Sequence, residues 1–328
     1  MSKPLISIII PVFNGENFLN RCFYTLVNLN YSNLEIIFIN NASQDSSLNM
    51  ISKFCEKNNN SYILDCKKIG PSAARNMGIK FSNGKFISFL DVDDEIKPDK
   101  FLILLEEFSK YPNIAMAVGD TEIIYSDGRK KMINLESLKI GVNQPPVLSF
   151  LWLKQFYIHP HISSSLILKT ALNSLYFPEN IKYGEDIALS VMIAINNSIS
   201  YSNNLVSTYH RHPNSSISRA NLELDIAERY FKFYKNFALP YFYNNLDKKN
   251  YISGYNISEG IAFRILMKLI KKDHKKKFSV ILDEMMSKNY IKNLKIRKLF
   301  YKYLPYDMAN YLDVKLLEKL YNEKLFEI

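Results

Sequence analysis

The sequence contains few of the residues that stabilise small secreted proteins. Its 328 residues include only three cysteines, Cys22, Cys55 and Cys66, and none belongs to a C-x-x-C pair. This spacing supports neither a disulfide framework nor a structural zinc site, so we expect free cytoplasmic thiols. With 10 glycines and 12 prolines, the chain is neither collagen-like nor dominated by linkers. Its 47% apolar and 23% charged residues predict a folded protein of two domains, or of one domain with an appendage.

Long hydrophobic runs are also missing. No stretch reaches 18 consecutive apolar residues, and the nearest approach, Pro145–Ile158, is short and contains Lys154. The apolar run Leu5–Ile10 ends at Pro11 and has no signal-peptide cleavage site. We therefore predict a cytoplasmic protein that lies, at most, peripherally at the inner face of a membrane.

Positive charge is concentrated in the C-terminal third of the chain. The formal charge is +10 overall, but Arg229–Lys302 alone holds 18 Lys and Arg against 5 Asp and Glu. Helix-spaced apolar residues beside the basic run Lys271–Lys277 predict a surface that contacts an anionic membrane, a lipid-linked, phosphate-bearing acceptor or a second copy of the chain. A solvated helical face explains the same charge. We expect one domain at 1–220 and a basic helical extension at 221–328.

Apolar runs typical of buried strands alternate with helical patterns through the first 120 residues. Strands are predicted at Leu5–Ile10, Leu34–Ile39 and Lys85–Leu90, and a polar loop follows each of them. This order predicts an α/β fold with a mostly parallel sheet. Because ligands of such sheets bind beyond the carboxyl ends of the strands, we expect the three polar loops to converge on one crevice.

Further along the chain, the pattern predicts four more elements. They are a helix over Asp99–Phe108, a strand over Ala115–Val118, a hairpin turn at 125–129 and a helix that starts near Trp152.

The tetrapeptide Asp91-Val92-Asp93-Asp94 directly follows the predicted strand Lys85–Leu90. Its three carboxylates repel one another, and a hard divalent cation such as Mg²⁺ or Mn²⁺ that bridges phosphate oxygens would compensate their charge. The alternative is a solvated loop in which Asp94 or Glu95 caps the next helix. The position at a strand end favours the metal site.

Two further groups are candidates for the same crevice. Arg75 lies in a predicted helix after Gly70-Pro71, and we expect it either to pair with a pyrophosphate or to hold the aspartates by forked hydrogen bonds. Glu185 and Asp186 start a later helical pattern, where acids also favour a helix N-terminus. A carboxylate there that faces the crevice is a candidate general base for a hydroxyl group.

Four of the five histidines form the pairs His159/His161 and His210/His212. Strand alternation would put each pair on one face, so we interpret them as mostly structural or ligand-lining, with metal contact as the alternative. The polar stretch 209–218 predicts a loop over a phosphate.

Five short motifs occur in an order and spacing that resemble glycosyltransferase family 2. They are SIIIPVFNGE at 7–16, INNASQD at 39–45, GPSAARNMG at 70–78, FLDVDD at 89–94 and GED at 184–186. With the segment 209–218, the resemblance covers roughly residues 5–218. It implies a GT-A, Rossmann-like catalytic domain that moves a sugar from a nucleoside-diphosphate sugar to a glycan or lipid-linked acceptor. The last hundred residues carry no such resemblance.

The resemblance implies that the donor nucleotide binds near the first two motifs. Pro11, Phe13 and Glu16 would line the base and ribose pocket, with Asn40 and Asn41 at the edge of the base. The family usually has at least one aspartate where this chain has the two asparagines. Since an amide carbonyl still accepts a hydrogen bond from uracil N3–H, a UDP-linked donor is expected.

The later motifs imply contacts with the donor diphosphate and with a divalent cation. The residues expected to contact the donor are Arg75, Asp91, Val92, Asp93 and Arg211, and those expected to ligate Mn²⁺ or Mg²⁺ are Asp93, Asp91 and His212. Asp186 is expected to be the catalytic base. One base suffices for a single displacement, which inverts the anomeric configuration.

Other functional classes remain as alternatives. A nucleic-acid-binding protein would explain the charge, but the candidate crevice is acidic and the sequence has no nucleic-acid-binding motif, so no such partner is expected. A non-catalytic nucleotide-sugar or glycan-binding module and a nucleotidyltransferase both stay open. Within the resembling family, synthesis of a bacterial surface polysaccharide, lipooligosaccharide or capsule is expected.

Overall fold

The computed structural model describes residues 3–133, 135, 138–155, 158–213, 226–243 and 257. The strands are β1 (Ile6–Val12), β2 (Leu34–Asn40), β3 (Ser61–Asp65), β4 (Phe86–Phe89), β5 (Glu95–Ile96), β6 (Ile114–Tyr125), β7 (Lys130–Met132), β8 (Gly141–Asn143), β9 (Ser165–Leu168) and β10 (Ser198–Arg211). The α-helices before residue 213 are α1 (Glu16–Val27), α2 (Ser47–Glu56), α3 (Pro71–Phe81), α4 (Lys100–Lys110), α5 (Val147–Lys154) and α6 (Glu185–Ala194). Short 3₁₀ turns occupy Ile162–Ser164 and Lys169–Leu172.

These strands form one sheet with the path β3-β2-β1-β4-β9-β6-β10-β5, while β7 pairs with β6 and β8 with β10. The pairs β3–β2, β2–β1 and β1–β4 are parallel. Strand β9 is antiparallel to both β4 and β6, and β10 is parallel to β6. Strands β1, β2, β4, β6 and β10 therefore all end at one side of the sheet, which we call the carboxyl edge. This arrangement confirms the predicted α/β class with a mostly parallel sheet.

Helices cover both faces of the parallel strands, which is why these strands are apolar on both sides. Every residue of β2 is buried. On one face, Ile8 of β1 belongs to a core cluster with Leu19 of α1 and Phe54 of α2. On the other face, α3 approaches so closely that a Cβ at Gly78 would lie 2.4 Å from a methyl group of Ile9. Glycine is required there for helix and strand to pack.

Strand β6 is longer than the sequence pattern predicts. The predicted strand Ala115–Val118 is only part of an observed strand of 12 residues. Its polar second half was not recognised because those side chains pair with β10 inside the sheet. Asp120 accepts a hydrogen bond from the Tyr201 hydroxyl (2.8 Å), and the Thr121 and Ser207 hydroxyls are 2.7 Å apart.

The observed helix boundaries differ less from the predicted ones than strand β6 does. The predicted helix 99–108 is observed as α4, with Asp99 at its N-cap position. Trp152 was predicted to start a helix, but it lies near the end of α5. The true start at Val147 was missed because this helix is apolar on most sides and its periodicity marks no boundary. The predicted hairpin turn at 125–129 is confirmed by the antiparallel pairing of β6 with β7.

The chain divides into two compact units, residues 1–223 and 224–328. In the second unit, the structure describes two α-helices and a π-helical segment between them: Ile226–Phe233, Tyr234–Ala238 and Leu239–Tyr243. The basic run Lys271–Lys277, and with it the predicted membrane or oligomer contact, lies outside the described residues. Among the helices that the structure does describe, none is long and apolar enough to cross a membrane.

Candidate active site

The polar loops after β1, β2 and β4 meet at the carboxyl edge, as the strand order predicts. Several hydrogen bonds join the loops after β1 and β2, among them those from Gly15 N–H to Ser47 Oγ (2.8 Å) and from Ser46 N–H to Glu16 Oε2 (2.9 Å). The loop after β4 packs against them, since a Cβ at Gly15 would lie 3.2 Å from the methyl groups of Val92. One crevice therefore receives side chains from all three loops.

The two asparagines expected at the base edge are buried and already hydrogen-bonded. Asn40 Nδ2 donates to Asp65 Oδ1 (2.8 Å), and Asn40 Oδ1 accepts from Ser43 N–H (3.2 Å). The Asn41 side chain is hydrogen-bonded to the backbone of the loop 66–70: Nδ2 donates to two carbonyls, and Oδ1 accepts from one N–H group. Both side chains brace the loops at this part of the carboxyl edge.

The three residues expected to line the base and ribose pocket differ in exposure. Phe13 is 48% exposed at the end of β1, whereas Pro11 and Glu16 are half-buried. The structure thus leaves an aromatic ring open to solvent at the carboxyl edge, beside the braced asparagines Asn40 and Asn41. Their contacts with a nucleotide stay predictions.

The residues Asp91, Val92, Asp93 and Asp94, which we call the acidic turn, fold back directly after β4. Asp94 N–H donates to the Asp91 carbonyl (2.9 Å), which closes the turn. Ligand atoms of Asp91, Asp94 and His161 all lie within 4.8 Å of one another. Carboxylate oxygens with an imidazole nitrogen suit a divalent cation such as Mn²⁺. This group differs from the expected set of Asp91, Asp93 and His212.

Asp94 is the most buried acid of the turn, with 1% exposure. Its Oδ1 accepts from His210 N–H (3.1 Å). Its Oδ2 lies 3.6 Å from His161 Nε2 and has no hydrogen-bond partner in the described part of the chain. Burial, together with the charges of Asp93 and Asp91, raises the pKa of Asp94 well above its usual value. A cation beside this oxygen would stabilise the ionised carboxylate.

Asp93 and the neighbouring Glu95 contact the histidines at the end of β10. Asp93 Oδ2 lies 3.0 Å from His212 Nε2, and Glu95 Oε1 lies 2.6 Å from His210 Nε2. The guanidinium of Arg21 donates to the Asp93 carbonyl. Both members of this histidine pair therefore reach the acidic segment after β4, in agreement with the one-face arrangement predicted for them. Whether His212 ligates a metal stays a prediction.

Arg75 connects the acidic turn to the start of α6. Its side chain is only 4% exposed, and it donates to Asp91 Oδ1 (2.6 Å) and to Glu185 Oε1 (2.9 Å). Its guanidinium also lies 5.2 Å from the centre of the Phe177 ring. Burial opposes the charge of Arg75, but the two carboxylates raise its pKa, and Arg75 in turn lowers the pKa of Asp91 against the effect of burial. The guanidinium thus holds two carboxylates of the crevice; its expected contact with a diphosphate stays a prediction.

The pair Glu185-Asp186 forms the first turn of α6. Gly184 precedes it with φ of 84°, a left-handed conformation that glycine adopts readily. Asp186 Oδ1 accepts from Ile187 N–H (2.9 Å). Burial and the charge of Asp186 raise the pKa of Glu185, although Arg75 opposes the shift. The structure therefore separates two roles: Glu185 is paired with Arg75, while Asp186 is the neighbouring acid expected to act as base.

The charge of Asp186 acts on two imidazoles, those of the buried His159 and the half-buried His161. Burial lowers the pKa of His161, and the charges of Asp91, Asp186 and Asp93 act against that shift. Burial lowers the pKa of His159 to about 4, with Asp186 again opposing. His161 is thus within electrostatic range of both Asp186 and the acidic turn, which Arg75 also connects through Glu185 and Asp91. The prediction that His159 and His161 alternate along a strand is wrong, because His161 lies at the N-cap of a 3₁₀ turn.

Arg211 ends strand β10, so residues 209–211 belong to the sheet and not to the predicted phosphate-covering loop. Its guanidinium lies 5.8 Å from the centre of the Tyr125 ring, on the neighbouring strand β6. The side chain is half-buried at the carboxyl edge. The serines of the predicted loop, 215–218, lie outside the described residues.

Sequence reasoning missed two contributors to this crevice. The sequence places Asp94 among the three carboxylates of the turn, with helix capping as the alternative, and gives it no ligand role of its own, yet it is the buried acid that faces His161. Asn76 received no role, although its amide binds the backbone of Phe177 (2.8 and 2.9 Å) in the segment that leads to Asp186. Both contacts join residues far apart in the chain, and local spacing carries no signal for them.

Comparisons with known proteins agree with this architecture. Residues 7–167 match the family model "Glycosyl transferase family 2". An uncharacterized glycosyltransferase of Haemophilus influenzae is 34% identical over 205 residues, which cover 62% of this chain and 77% of that protein. The minor teichoic acid biosynthesis protein GgaB of Bacillus subtilis is 30% identical over 190 residues, 57% of this chain. The match spans only 21% of GgaB.

Solved structures share the fold at lower sequence identity. TarS of S. aureus, in complex with UDP-GlcNAc, gives a TM-score of 0.60 at 18% identity over 84% of this chain and 75% of TarS. The mannosyltransferase PcManGT of Pyrobaculum calidifontis, in complex with GDP-Man and Mn²⁺, gives 0.53 at 11% identity over 98% of this chain and 88% of PcManGT. At these identities the likeness concerns the GT-A fold. Together with the family model and the Haemophilus relative, it leads to the conclusion that this chain belongs to glycosyltransferase family 2 and is a sugar-transferring enzyme.

Proposed function

We propose that this enzyme is an inverting glycosyltransferase that moves a sugar from a UDP-linked donor to a hydroxyl group of a glycan or lipid-linked acceptor. One observation carries the proposal: the buried Arg75 side chain joins Asp91 of the acidic turn to Glu185, the neighbour of Asp186. The residues expected to hold the donor and the residue expected to activate the acceptor thus belong to one crevice. That TarS and PcManGT were solved with nucleotide sugars supports the donor class.

The acidic turn fits a divalent cation. Asp91, Asp94 and His161 offer two oxygens and one nitrogen within 4.8 Å, and the Asp94 oxygen in this group has no donor in the described part of the chain. In our proposal, Asp93, Asp91 and His212 hold Mn²⁺ or Mg²⁺, and Asp94 and His161 complete the metal-binding surroundings. When bound, the cation neutralises the diphosphate of the donor and the charge that develops on it.

Two residues of the chain act in the single displacement, one on the leaving group and one on the acceptor hydroxyl. Arg211, with its half-buried guanidinium at the carboxyl edge, contacts the departing nucleoside diphosphate and stabilises its growing negative charge. Asp186 accepts the proton of the acceptor hydroxyl while that oxygen attacks the anomeric carbon from the face opposite the nucleotide. Only one displacement takes place, so the configuration at the anomeric carbon inverts.

The nucleotide side of the crevice follows the expected roles. Phe13 offers its exposed ring to the base, with Pro11 and Glu16 beside it. Asn40 and Asn41 are buried, and their amides are used to brace loops. We propose that uracil N3–H donates to the second lone pair of one of these amide oxygens, each of which already accepts one backbone N–H, in place of the carboxylate usual in the family.

We propose a bacterial surface glycan, lipooligosaccharide or capsule as the product. The relationship to a minor teichoic acid biosynthesis protein and to the chondroitin synthase of Pasteurella multocida, 32% identical over 125 residues, supports polymer synthesis. In this proposal the enzyme works in the cytoplasm, and residues 221–328 bring it to an anionic membrane surface, to its acceptor or to a second copy of itself.

A panel of UDP-, GDP- and dTDP-linked sugars, incubated with the enzyme and Mn²⁺ or EDTA, tests the proposal. We expect Mn²⁺-dependent release of UDP from a UDP-sugar, and a β-linked product from an α-linked donor when the anomeric proton is examined by NMR. Turnover that is unaffected by EDTA, or retention of configuration, contradicts it. Release of pyrophosphate from a nucleoside triphosphate would favour the nucleotidyltransferase alternative.

A further inference from the structure

Asn76 is buried, polar and adjacent to Arg75, and the motif that contains it assigns it no function. Its side chain is bound to the chain segment 173–184, which connects the second 3₁₀ turn to α6 and has no helix or strand of its own. Such a segment needs contacts from outside to hold one conformation, because no regular backbone ladder fixes it.

Asn76 supplies these contacts through both ends of its amide. Nδ2 donates to the Phe177 carbonyl (2.9 Å) and to Glu179 Oε1 (2.8 Å), and Oδ1 accepts from Phe177 N–H (2.8 Å). The amide thus pairs with the backbone of Phe177 as a neighbouring strand would. Asn76 itself is 5% exposed, so water does not replace these bonds when they are lost.

The two neighbouring side chains of α3 bind the segment at two places. Arg75 binds Glu185, at the start of α6, and its guanidinium also faces the Phe177 ring that Asn76 fixes. The Phe177 ring packs edge-on against Phe89 of β4, with ring centres 5.0 Å apart. Asn76 therefore fixes the segment at the position from which it continues to α6.

We propose that Asn76 is a positioning residue: it holds segment 173–184 so that the first turn of α6 presents Asp186 to the acidic turn. The inference rests on the proposed role of Asp186 as the base. A base displaced by about 1 Å can reduce turnover by about a hundredfold, because proton transfer requires close hydrogen-bond geometry. The residues expected to contact the donor lie in or after β1, β2 and β4, on α3 (Arg75) and at the end of β10 (Arg211), and none of them belongs to segment 173–184. Donor affinity should therefore depend only weakly on this segment.

The test uses Asn76→Asp in the full chain. This isosteric variant keeps the acceptor for Phe177 N–H, but it removes both hydrogen bonds that Nδ2 donates and places a second carboxylate beside Glu179. We expect the kcat for hydrolysis of UDP-GlcNAc with Mn²⁺ to fall tenfold to a hundredfold, as estimated from misplacement of a base. The Kd for UDP with Mn²⁺ should change less than about twofold.

Asn83→Asp is the matched control. Asn83 also donates its amide to a glutamate, Glu35 (2.8 Å), but at the opposite edge of the sheet. The N83D variant should lose thermal stability as N76D does, but it should keep the wild-type kcat. The double variant N76D/E179Q should recover part of the lost kcat, because the introduced amide can donate to the introduced carboxylate. Wild-type kcat in N76D, or an equal loss of kcat in N83D, overturns the inference.

Hydrogen exchange separates this inference from the proposed function. We expect backbone amides of 173–186 to exchange several-fold faster in N76D than in wild type and in N83D, while α1 exchanges alike in all three. Unchanged exchange in 173–186 overturns the positioning role, whatever the activity. If wild type hydrolyses no nucleotide sugar while exchange follows this pattern, the segment is held as inferred and the proposed function fails instead.

Discussion

Glu35 and Asp94 are both buried carboxylates of the same sheet, but they lie at opposite edges and in different surroundings. Glu35 accepts three hydrogen bonds, from Ser7 Oγ (2.5 Å) and from the backbone and side chain of Asn83 (both 2.8 Å). Asp94 accepts one, from His210 N–H, and its second oxygen has no hydrogen-bond partner within the described ranges. The fold supplies hydrogen-bond donors to both oxygens of Glu35, whereas one oxygen of Asp94 has no donor within the described residues.

The two carboxylates differ in hydrogen bonding because the two edges of the sheet have different roles. At the amino edge, Glu35 joins the starts of strands, and the protein provides its donors permanently. At the carboxyl edge, three acids lie in one turn, and burial with mutual repulsion raises the pKa of Asp94. A structural carboxylate is satisfied internally, while a carboxylate that serves a ligand keeps its binding capacity open.

Asp186→Asn should reduce sugar transfer by about 10²–10⁴-fold, the range typical of a lost general base. The amide keeps the shape of the side chain and still accepts from Ile187 N–H, so the fold should be unaffected. Initial rates with a fixed donor, together with the melting temperature, check this. Near-normal turnover in a folded variant removes Asp186 from the mechanism.

Arg75→Met should destabilise the protein by about 3–5 kcal/mol, because it leaves Asp91 and Glu185 without their buried cation. Urea unfolding measures the loss. The double variant R75M/E185Q should recover part of it, since one of the two orphaned charges is then removed. Equal stability of the single and double variants would contradict the pairing.

Asp94→Asn and Glu35→Gln compare the two edges directly. We expect E35Q to lower the free energy of unfolding by about 1–3 kcal/mol, because one of its donors then faces another donor. D94N should leave metal-free stability unchanged or higher and weaken Mn²⁺ binding about tenfold to a hundredfold. Urea unfolding and Mn²⁺ titration followed by electron paramagnetic resonance give both numbers. The contrast fails if D94N destabilises as E35Q does and binds Mn²⁺ normally.

Lys100 adds a buried cation whose partners are neutral. Its Nζ donates to Ser88 Oγ and to the Ser163 carbonyl (both 2.7 Å), and burial lowers its pKa from 10.5 to about 7. Between these two values the unfolded chain binds more protons than the folded one, so this group makes stability rise with pH in that window, by at most about 1.4 kcal/mol per pH unit. Lys100→Met should remove that contribution.

Urea unfolding of wild type and K100M from pH 6 to pH 9 measures this contribution. The free energy of unfolding of wild type should rise relative to that of K100M as pH increases above about 7, because folded Lys100 then loses its proton while the unfolded chain keeps it. A difference that stays constant across the range would mean that Lys100 does not titrate there.

The sequence was sufficient for the parallel half of the fold because its signals are local. Continuous apolar runs such as Leu34–Ile39 identify strands covered on both faces, and polar residues directly after them identify the carboxyl edge. Strand β6 was predicted too short because Asp120 and Thr121 find polar partners on β10. Nothing near them in the sequence reveals those partners.

The candidate site divides in the same way. Asp91, Asp93, Arg75 and Asp186 could be proposed from the sequence because each stands in a short motif, and their roles stay predictions. Asp94 and His161, which lie close together, are 67 positions apart in the chain. Asn76 and Phe177, which are hydrogen-bonded, are 101 positions apart. Such pairings are decided by packing, and only the folded chain brings them together. Residues 221–328 have a basic composition as their only strong signal, and their role stays a prediction.

Binding of UDP, measured by calorimetry for wild type, Asp93→Ala and Asp186→Asn with Mn²⁺ or EDTA, tests most directly whether acids with separate tasks share the crevice. We expect wild type and D186N to bind UDP with similar affinity only when Mn²⁺ is present, and D93A to bind it weakly under both conditions. If wild type binds UDP equally well in Mn²⁺ and in EDTA, the proposed role of the metal is contradicted. If D186N loses UDP binding while D93A keeps it, the assignment of Asp93 to the donor and of Asp186 to the acceptor is contradicted.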